Sequence, residues 1–170
     1  MDRISKDQYY LDIAKTVCKR STCLRKQYGA IIVKNDEIIA TGYNGAPRGR
    51  KNCCEIGKCL REEFDIPSGQ RYELCRSVHA ESNAIISASR KDMIGASLYL
   101  YGERHVEHAI ASSEIVTDFY PDCCSMCKRL VLNAGIKELV RYHDDEIEHF
   151  DVSQWIENDD SLPERARELL

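Results

Sequence analysis

Apolar and polar residues in the first part of the chain predict a helix followed by a β-hairpin. From Ser5 to Lys19, apolar side chains recur at the spacing of one helical face, and Ser5 is suited to be the N-cap. Two runs rich in isoleucine and valine then flank the polar residues 34–37 and predict a hairpin. The stretch 42–49, G-Y-N-G-A-P-R-G, suits either close approach of the backbone to a ligand or a surface turn.

Helix and strand patterns alternate again in the second half of the chain. They predict a helix from His79 to Gly95, a strand over 97–101, a helix from Cys124 to Gly135 and a strand over 136–142. Because strands alternate with helices, the sequence favours an α/β sandwich.

Three stretches have no clear pattern of this kind. Residues 52–76 form an irregular insertion that contains four cysteines, and a stretch of this length needs something to hold it. The polar segment 102–122 predicts either an extra hairpin or a lid. The tail 143–170 predicts a last short helix after the acidic break at 158–160. We expect all of them to belong to a single domain, residues 1–170.

Composition narrows the classes of function. With 170 residues, 43% hydrophobic and 31% charged, the chain resembles a soluble globular protein with a real core. A net charge of -4 argues against a polynucleotide partner but allows a small phosphorylated ligand. The sequence has no apolar run of about 20 residues, and its start is polar, so we expect no membrane span and no signal peptide, and a cytoplasmic location. Nine cysteines in a reducing compartment then indicate metal binding rather than disulfides.

Cys124 and Cys127 form a C-x-x-C motif at the start of a predicted helix. Two thiolates at this spacing can bind one zinc ion, and the helix dipole favours the thiolate form. Taken alone, the motif also suits a closed structural zinc site or a redox pair.

His79 and Glu81 change that interpretation, because they begin another predicted helix in the sequence V-H-A-E-S-N. His79, Cys124 and Cys127 would supply three zinc ligands and leave one position for water, whose pKa would fall to about 7. Glu81 would then move the proton of that water. H-x-E followed by C-x-x-C is the signature of zinc-dependent nucleobase deaminases.

With these motifs the chain resembles the cytidine and deoxycytidylate deaminase superfamily, most closely the deoxycytidylate (dCMP) deaminases. The similarity rests on G-A-I-I-V-K-N-D-E-I-I-A-T-G-Y-N-G-A-P-R-G, N-C-C, V-H-A-E-S-N-A-I and C-S-M-C-K-R-L-V-L-N-A-G-I. It implies a three-layer α/β/α sandwich with a five-stranded mixed sheet, and hydrolysis of dCMP to dUMP and ammonia. Zinc-bound hydroxide would attack C4, with Glu81 as the proton shuttle.

The resemblance also implies partners and substrate contacts. It implies a homo-oligomer, often a hexamer, and regulation by dCTP and dTTP with Mg²⁺. Asn44, the backbone around Ala80 and, more weakly, Asn83 would hold the nucleotide. From the sequence itself, Arg48 together with Arg50 and Lys51 offers positive charge to a 5′-phosphate, or else forms a basic surface turn. The chain departs from the family pattern at Cys123, where members usually carry proline.

A second zinc site is the other expectation, since some family members carry one near the loop 42–49. Here the candidate ligands are Cys23, Cys53, Cys59 and Cys75. Cys54 is an alternative to Cys53. The alternative is that these residues are ordinary free thiols.

Two other functions stay open at this point. One is deamination of another or a modified cytosine nucleotide or nucleoside, and the other is a non-catalytic, zinc-stabilised module that binds a nucleotide. Glu81 argues against the second, because a structural zinc site needs no proton shuttle.

Overall fold

A computed structural model describes residues 3–67, 69–107, 113–116, 120–143 and 146–158. Its strands are β1 (Lys26–Lys34), β2 (Glu37–Tyr43), β3 (Ser97–Glu107), β4 (Ser113–Val116), β5 (Glu138–His143) and β6 (Glu146–Asp151). Its helices are α1 (Lys6–Cys18), α2 (Cys53–Ile56), α3 (Leu60–Glu63), α4 (Ala80–Ile86), α5 (Arg90–Met93), α6 (Ser125–Ala134) and α7 (Ser153–Glu157), with a 3-10 turn at Tyr72–Leu74.

The strands form one mixed sheet. Five of them lie in the order β2-β1-β3-β5-β6, in which β3 and β5 run parallel and the other neighbours run antiparallel. The predicted five-stranded mixed sheet is therefore confirmed. A sixth strand, β4, pairs antiparallel with the C-terminal end of β3. Of the two alternatives for segment 102–122, a hairpin or a lid, the described backbone therefore forms the hairpin.

Helices cover both faces of the sheet, as predicted for a three-layer sandwich. On one face α1 packs Tyr10, Leu11 and Ala14 against a cluster that includes Ile31 and Val140. On the other face α4, α5, α6 and α7 share a larger core with the sheet. Because successive residues of a strand face opposite sides, the apolar run of β1 contributes to both cores.

The close approach of α4 to β2 depends on Gly42. A Cβ atom at Gly42 would lie 2.3 Å from the carbonyl oxygen of Ala80 and 2.4 Å from the amide nitrogen of Ala84. Both are backbone atoms and cannot rotate away. The absence of a side chain at Gly42, the first residue of the stretch 42–49, thus lets α4 lie directly on the sheet.

The predicted helix from His79 to Gly95 is wrong in its extent. It is interrupted after Ile86 and resumes as α5 at Arg90. The Ser87 hydroxyl donates a hydrogen bond to the carbonyl of Asn83 at 2.8 Å, and Ser89 is the N-cap of α5. Serine favours such local hydrogen bonds over helix continuation, and this explains the break.

The insertion and the tail are partly ordered by short elements. Residues 52–76 contain α2, α3 and the 3-10 turn, whereas β6 and α7 lie in the tail and bring the buried Trp155 into the core. The predicted last helix, after residues 158–160, lies outside the described residues. Within the described ranges, we find no helix with the length and apolar character needed to cross a membrane.

Candidate active site

The first residues of two helices meet at one point of the molecule. His79 is the N-cap of α4 and Cys124 is the N-cap of α6, while Cys127 lies in the first turn of α6. A backbone bridge between Val78 and Gly45 holds the approach to His79 against the loop after β2, with N···O distances of 2.8 and 3.1 Å. The sheet and its loop therefore position the predicted ligands.

The geometry of these three residues fits a tetrahedral zinc ion. The Nδ1 atom of His79 lies 3.4 Å from the Sγ of Cys124 and 3.3 Å from the Sγ of Cys127. Zinc–nitrogen and zinc–sulfur bonds of ordinary length would place such atoms about 3.6 Å apart at tetrahedral angles. All three ligand atoms lie within 4.8 Å of one another. One nitrogen and two sulfurs are also a donor set that zinc prefers.

Burial and hydrogen bonding set the charge of the cluster. The pKa of the Cys124 thiol lies well below its usual value, because it accepts a hydrogen bond from Cys127 and lies beside His79. The donating Cys127 thiol has a raised pKa. Burial would lower the pKa of His79, but its hydrogen bond with Cys124 and the charge of Glu81 raise it. The site therefore already favours a thiolate at Cys124.

Glu81 lies beside this cluster in the wall of a cavity of about 330 Å³. Only 4% of its surface is exposed, and burial raises the pKa of its carboxyl group. Cys123 lines the same cavity and contacts Glu81; burial raises the pKa of its thiol well above the usual value. A carboxyl group with a raised pKa, next to a metal-ligand set and facing a cavity, is suited to accept and donate a proton.

A buried arginine that the sequence gave no reason to select supports the segment before α6. Arg141 on β5 is 5% exposed, pairs with Asp122, and donates to Glu148 on β6 at 2.8 Å. Asp122 in turn accepts a hydrogen bond from the amide of Cys123 at 2.8 Å. The guanidinium group lies 4.1 Å from the ring centre of Tyr120, which lines the cavity. Strand β6 in the tail thus helps to fix the segment that leads into α6.

The insertion 52–76 forms another wall of the cavity through Arg61 and Tyr72. Arg61 is 8% exposed and donates to the carbonyls of Pro67, Gln70 and Arg71. Its guanidinium group lies 5.2 Å from the centre of the Tyr72 ring, and that ring contacts His79 edge-on, with centroids 5.3 Å apart. No sequence pattern marks these residues, because their contacts join separate loops.

The predicted substrate residues occupy different environments. Asn44 lines the cavity, and its side chain accepts from the Tyr28 amide at 2.8 Å and donates to the Lys26 carbonyl at 2.8 Å. Ala80 is fully buried at the start of α4. Asn83 donates to the Tyr43 carbonyl at 2.8 Å, and neither Asn83 nor the exposed Arg48 is among the residues that line this cavity.

The four cysteines of the expected second zinc site are neighbours without forming a tight cluster. The pKa of Cys53 is raised to about 11 by burial and, to a smaller extent, by the nearby thiols of Cys23, Cys75 and Cys59. In the part of the chain that the structure describes, their sulfurs do not form a group of three within 4.8 Å, as His79, Cys124 and Cys127 do. Cys54, the alternative ligand, is exposed.

Comparisons with known proteins agree with this site. The family model for the cytidine and deoxycytidylate deaminase zinc-binding region matches residues 4–143. Deoxycytidylate deaminase of Schizosaccharomyces pombe is 36% identical over 141 residues, which cover 83% of this chain but 38% of that protein. Deoxycytidylate deaminase of Mycobacterium phage D29 is 34% identical over 144 residues, covering 82% of this chain and 96% of that protein.

A solved structure shares the fold. The dCMP deaminase of cyanophage S-TIM5, in its apo form, superposes with a TM-score of 0.52 at 25% identity, covering 84% of this chain and 89% of that one. The matched segment 4–143 includes every residue of the ligand set and Glu81. The chain therefore belongs to the cytidine and deoxycytidylate deaminase family.

Proposed function

We propose that this protein is a zinc-dependent enzyme that hydrolyses dCMP to dUMP and ammonia. The observation that carries the proposal is the buried carboxyl group of Glu81, which faces the same cavity as the convergent ligands His79 and Cys124. Relatives that are named deoxycytidylate deaminase support the choice of substrate. The chain spans 38% of one of these relatives and 96% of another.

Each residue of the candidate site has its own role in the proposed reaction. His79, Cys124 and Cys127 would hold zinc, which supplies the Lewis acidity that makes water nucleophilic at neutral pH. Glu81 would take a proton from the attacking water and deliver it to the ring nitrogen of cytosine, and it would then pass the proton of the hydroxyl group formed at C4 to the leaving amine. The raised pKa of Glu81 suits both directions of transfer.

Asn44 and the first turn of α4 are the proposed contacts for the nucleoside. The amide of Asn44 is fixed by the Tyr28 and Lys26 backbone, so it is preorganised at the cavity wall. The backbone N–H groups at the start of a helix, such as that of Ala80, lack intrahelical acceptors and are suited to bind a carbonyl oxygen. A substrate role for Asn83 has less support, since its side chain already joins α4 to the Tyr43 carbonyl.

A second, structural zinc ion bound by Cys23, Cys53, Cys59 and Cys75 is a further part of the proposal. Its support is the mutual influence of these thiols on the pKa of Cys53 and on that of Cys75. Binding would require their sulfur atoms to move closer together. Thiolate ligation would then join the insertion to the segment before β1.

Assembly, regulation and location stay predictions. Apolar side chains exposed on the outer helices, Ile86 on α4 and Met126 and Leu130 on α6, support a homo-oligomer. A hexamer, dCTP and dTTP as effectors with Mg²⁺, and a cytoplasmic location rest on the family resemblance and on the composition.

Ammonia release from a panel of nucleotides, measured with and without a chelator, tests the proposed function. We expect dCMP to be the best substrate and a chelator to abolish its turnover. Faster release of ammonia from a modified cytosine nucleotide would identify that nucleotide as the substrate. Binding of nucleotides without release of ammonia would identify a non-catalytic module.

A further inference from the structure

We propose that Glu148 and Arg141 are positioning residues for Tyr120, and that the fixed ring of Tyr120 is a part of the cavity wall that holds the nucleotide. This inference rests on the proposed function, because it assigns a role in dCMP binding to the same cavity. Glu148 lies on β6, beyond the segment 4–143 that the family model matches. Family membership by itself therefore gives this residue no role.

Tyr120 is held at two points of its side chain. Its hydroxyl group donates a hydrogen bond to the Oε2 atom of Glu148 at 3.0 Å, and the guanidinium group of Arg141 lies 4.1 Å from the centre of its ring. A cation is attracted to an aromatic face, and the hydrogen bond at the far end of the side chain restricts its rotation. Tyr120 is nevertheless 37% exposed and lines the cavity. These two contacts therefore determine where this part of the cavity wall lies.

One carboxylate oxygen joins Tyr120 to Arg141. The Oε2 atom of Glu148 that accepts from the Tyr120 hydroxyl also accepts from the Nε atom of Arg141 at 2.8 Å. Hydrogen bonds between charged groups are stronger than those between neutral groups, and the Arg141 side chain is only 6% exposed. Each of the three side chains thus contacts the other two, and displacement of Glu148 should release Tyr120.

The register of the sheet places Glu148 beside Arg141. The two residues lie directly opposite each other in the antiparallel pair of β5 and β6. Opposite charges at such a position stabilise the pair of strands. Burial lowers the pKa of Arg141, whereas the hydrogen bond and the charge of Glu148 raise it. The backbone of β6 therefore brings the carboxylate to the place from which it reaches Tyr120.

The surroundings of Tyr120 indicate a role in binding. Its ring lines the cavity that also contains Glu81 and Asn44 and offers an aromatic surface against which a pyrimidine or a sugar can pack. A ligand binds more tightly to a side chain that is already ordered than to one that it must order. Loss of this order should therefore raise KM for dCMP and leave kcat largely unchanged.

Arg141 reaches the metal-ligand segment through a different carboxylate. It pairs with Asp122, and Asp122 accepts a hydrogen bond from the amide of Cys123 at 2.8 Å, next to the ligand Cys124. A change at Arg141 would therefore disturb the ligand segment and the cavity wall together. Changes at Glu148 and Tyr120 keep Arg141 and Asp122 in the chain and are the better test of the wall.

The test measures the steady-state kinetics of dCMP deamination in Glu148→Ala and Tyr120→Phe. We expect KM to rise about 3- to 10-fold in each variant, the range for one lost hydrogen bond, and kcat and zinc content to stay within about twofold of the wild type. Glu148→Gln should recover most of the change in KM, because an amide oxygen can still accept from the hydroxyl. Glu146→Ala removes an exposed carboxylate from the same strand and is the matched control.

The double variant Glu148→Ala, Tyr120→Phe tests whether the two residues act together. Its KM should match that of the single variants, because both changes remove the same hydrogen bond. Increases in KM that multiply in the double variant would overturn the coupling. A wild-type KM in Glu148→Ala would overturn the proposal, and so would a fall in kcat with loss of zinc at unchanged KM, since the pair would then support only the fold.

A binding measurement separates this inference from the proposed function. Titration calorimetry of dCMP into Glu81→Gln, with and without Glu148→Ala, gives Kd without turnover. A 3- to 10-fold rise in Kd on adding Glu148→Ala would support the role of Tyr120 even if the wild type released no ammonia from dCMP, a result that would refute the proposed function alone. An unchanged Kd, or no binding of dCMP to either protein, would overturn the inference.

Discussion

The ligand cluster and the cysteine-rich insertion are two metal-binding candidates that the same chain builds in different ways. His79, Cys124 and Cys127 lie on the first turns of α4 and α6, and their ligand atoms already converge. The cysteines of the insertion lie on one-turn helices and loops, and their sulfurs are neighbours without converging. Regular elements that pack on a sheet can preorganise a site, whereas short elements need added contacts to do so.

The two regions also differ in what holds them. Close backbone contact between Gly42 and α4 fixes the position of the ligand cluster, whereas the buried side chain of Arg61 joins loops of the insertion. Loss of a metal ligand in the cluster of His79, Cys124 and Cys127 should therefore reduce turnover. Loss of a cysteine in the insertion should instead reduce the stability of the fold.

The largest expected effect is the loss of metal in Cys124→Ser. This variant should lose the catalytic ion and all measurable deamination, with modest loss of stability. Cys59→Ser should lose the proposed structural ion and unfold at lower denaturant, since zinc–thiolate sites contribute strongly to folding. Metal analysis together with urea unfolding checks both. A wild type with full activity and one zinc ion would return Cys23, Cys53, Cys59 and Cys75 to ordinary thiols.

Gly42→Ala should have the next largest effect on the ligand cluster. The added methyl group would meet backbone atoms of α4, so we expect a loss of about 3 kcal/mol in the free energy of unfolding. Gly45→Ala is the matched control, because its nearest contact is the rotatable Thr22 hydroxyl at 2.8 Å. Equal losses in the two variants, measured by urea unfolding, would contradict a special role for backbone contact.

Arg61→Met tests how the insertion is held. Removing the guanidinium group leaves three carbonyls without their donor, and we expect a loss of about 2 kcal/mol. Arg71→Met removes an exposed arginine that pairs with Glu73 and should change stability by less than about 0.5 kcal/mol. If both variants unfolded at the wild-type urea concentration, Arg61 would not be what orders the insertion.

The smallest expected effect is that of Glu55→Ala, which removes a local cap in the same insertion. The Glu55 carboxylate accepts a hydrogen bond from the amide of Asn52 at 2.7 Å at the start of α2. An exposed cap of this kind should contribute about 0.5 kcal/mol. A loss equal to that of Arg61→Met would mean that local caps, rather than the buried arginine, order the insertion.

Residues whose role follows from local spacing were predictable from the sequence. Helix α1 with its Ser5 cap, the hairpin of β1 and β2, and the placement of His79, Cys124 and Cys127 at the starts of two helices all depend on neighbours within a few positions. The wrong C-terminal end predicted for α4 also has a local cause, because the serines after Ile86 compete with helical hydrogen bonds.

Other features depend on tertiary pairing and leave no local mark. Arg141 lies in a predicted strand, but its burial follows from Asp122 and from Glu148 on β6, which the sequence did not predict. Arg61 gives no local signal either, because its burial depends on the loop carbonyls of Pro67, Gln70 and Arg71 that fold around it.

The most direct test of the proposed mechanism is the turnover of dCMP by Glu81→Gln at matched zinc content. The amide keeps the size of the side chain but cannot shuttle protons, so kcat should fall about 10²- to 10⁴-fold while zinc content and unfolding midpoint stay at wild-type values. A zinc-loaded Glu81→Gln protein that deaminates dCMP at the wild-type rate would contradict the mechanism.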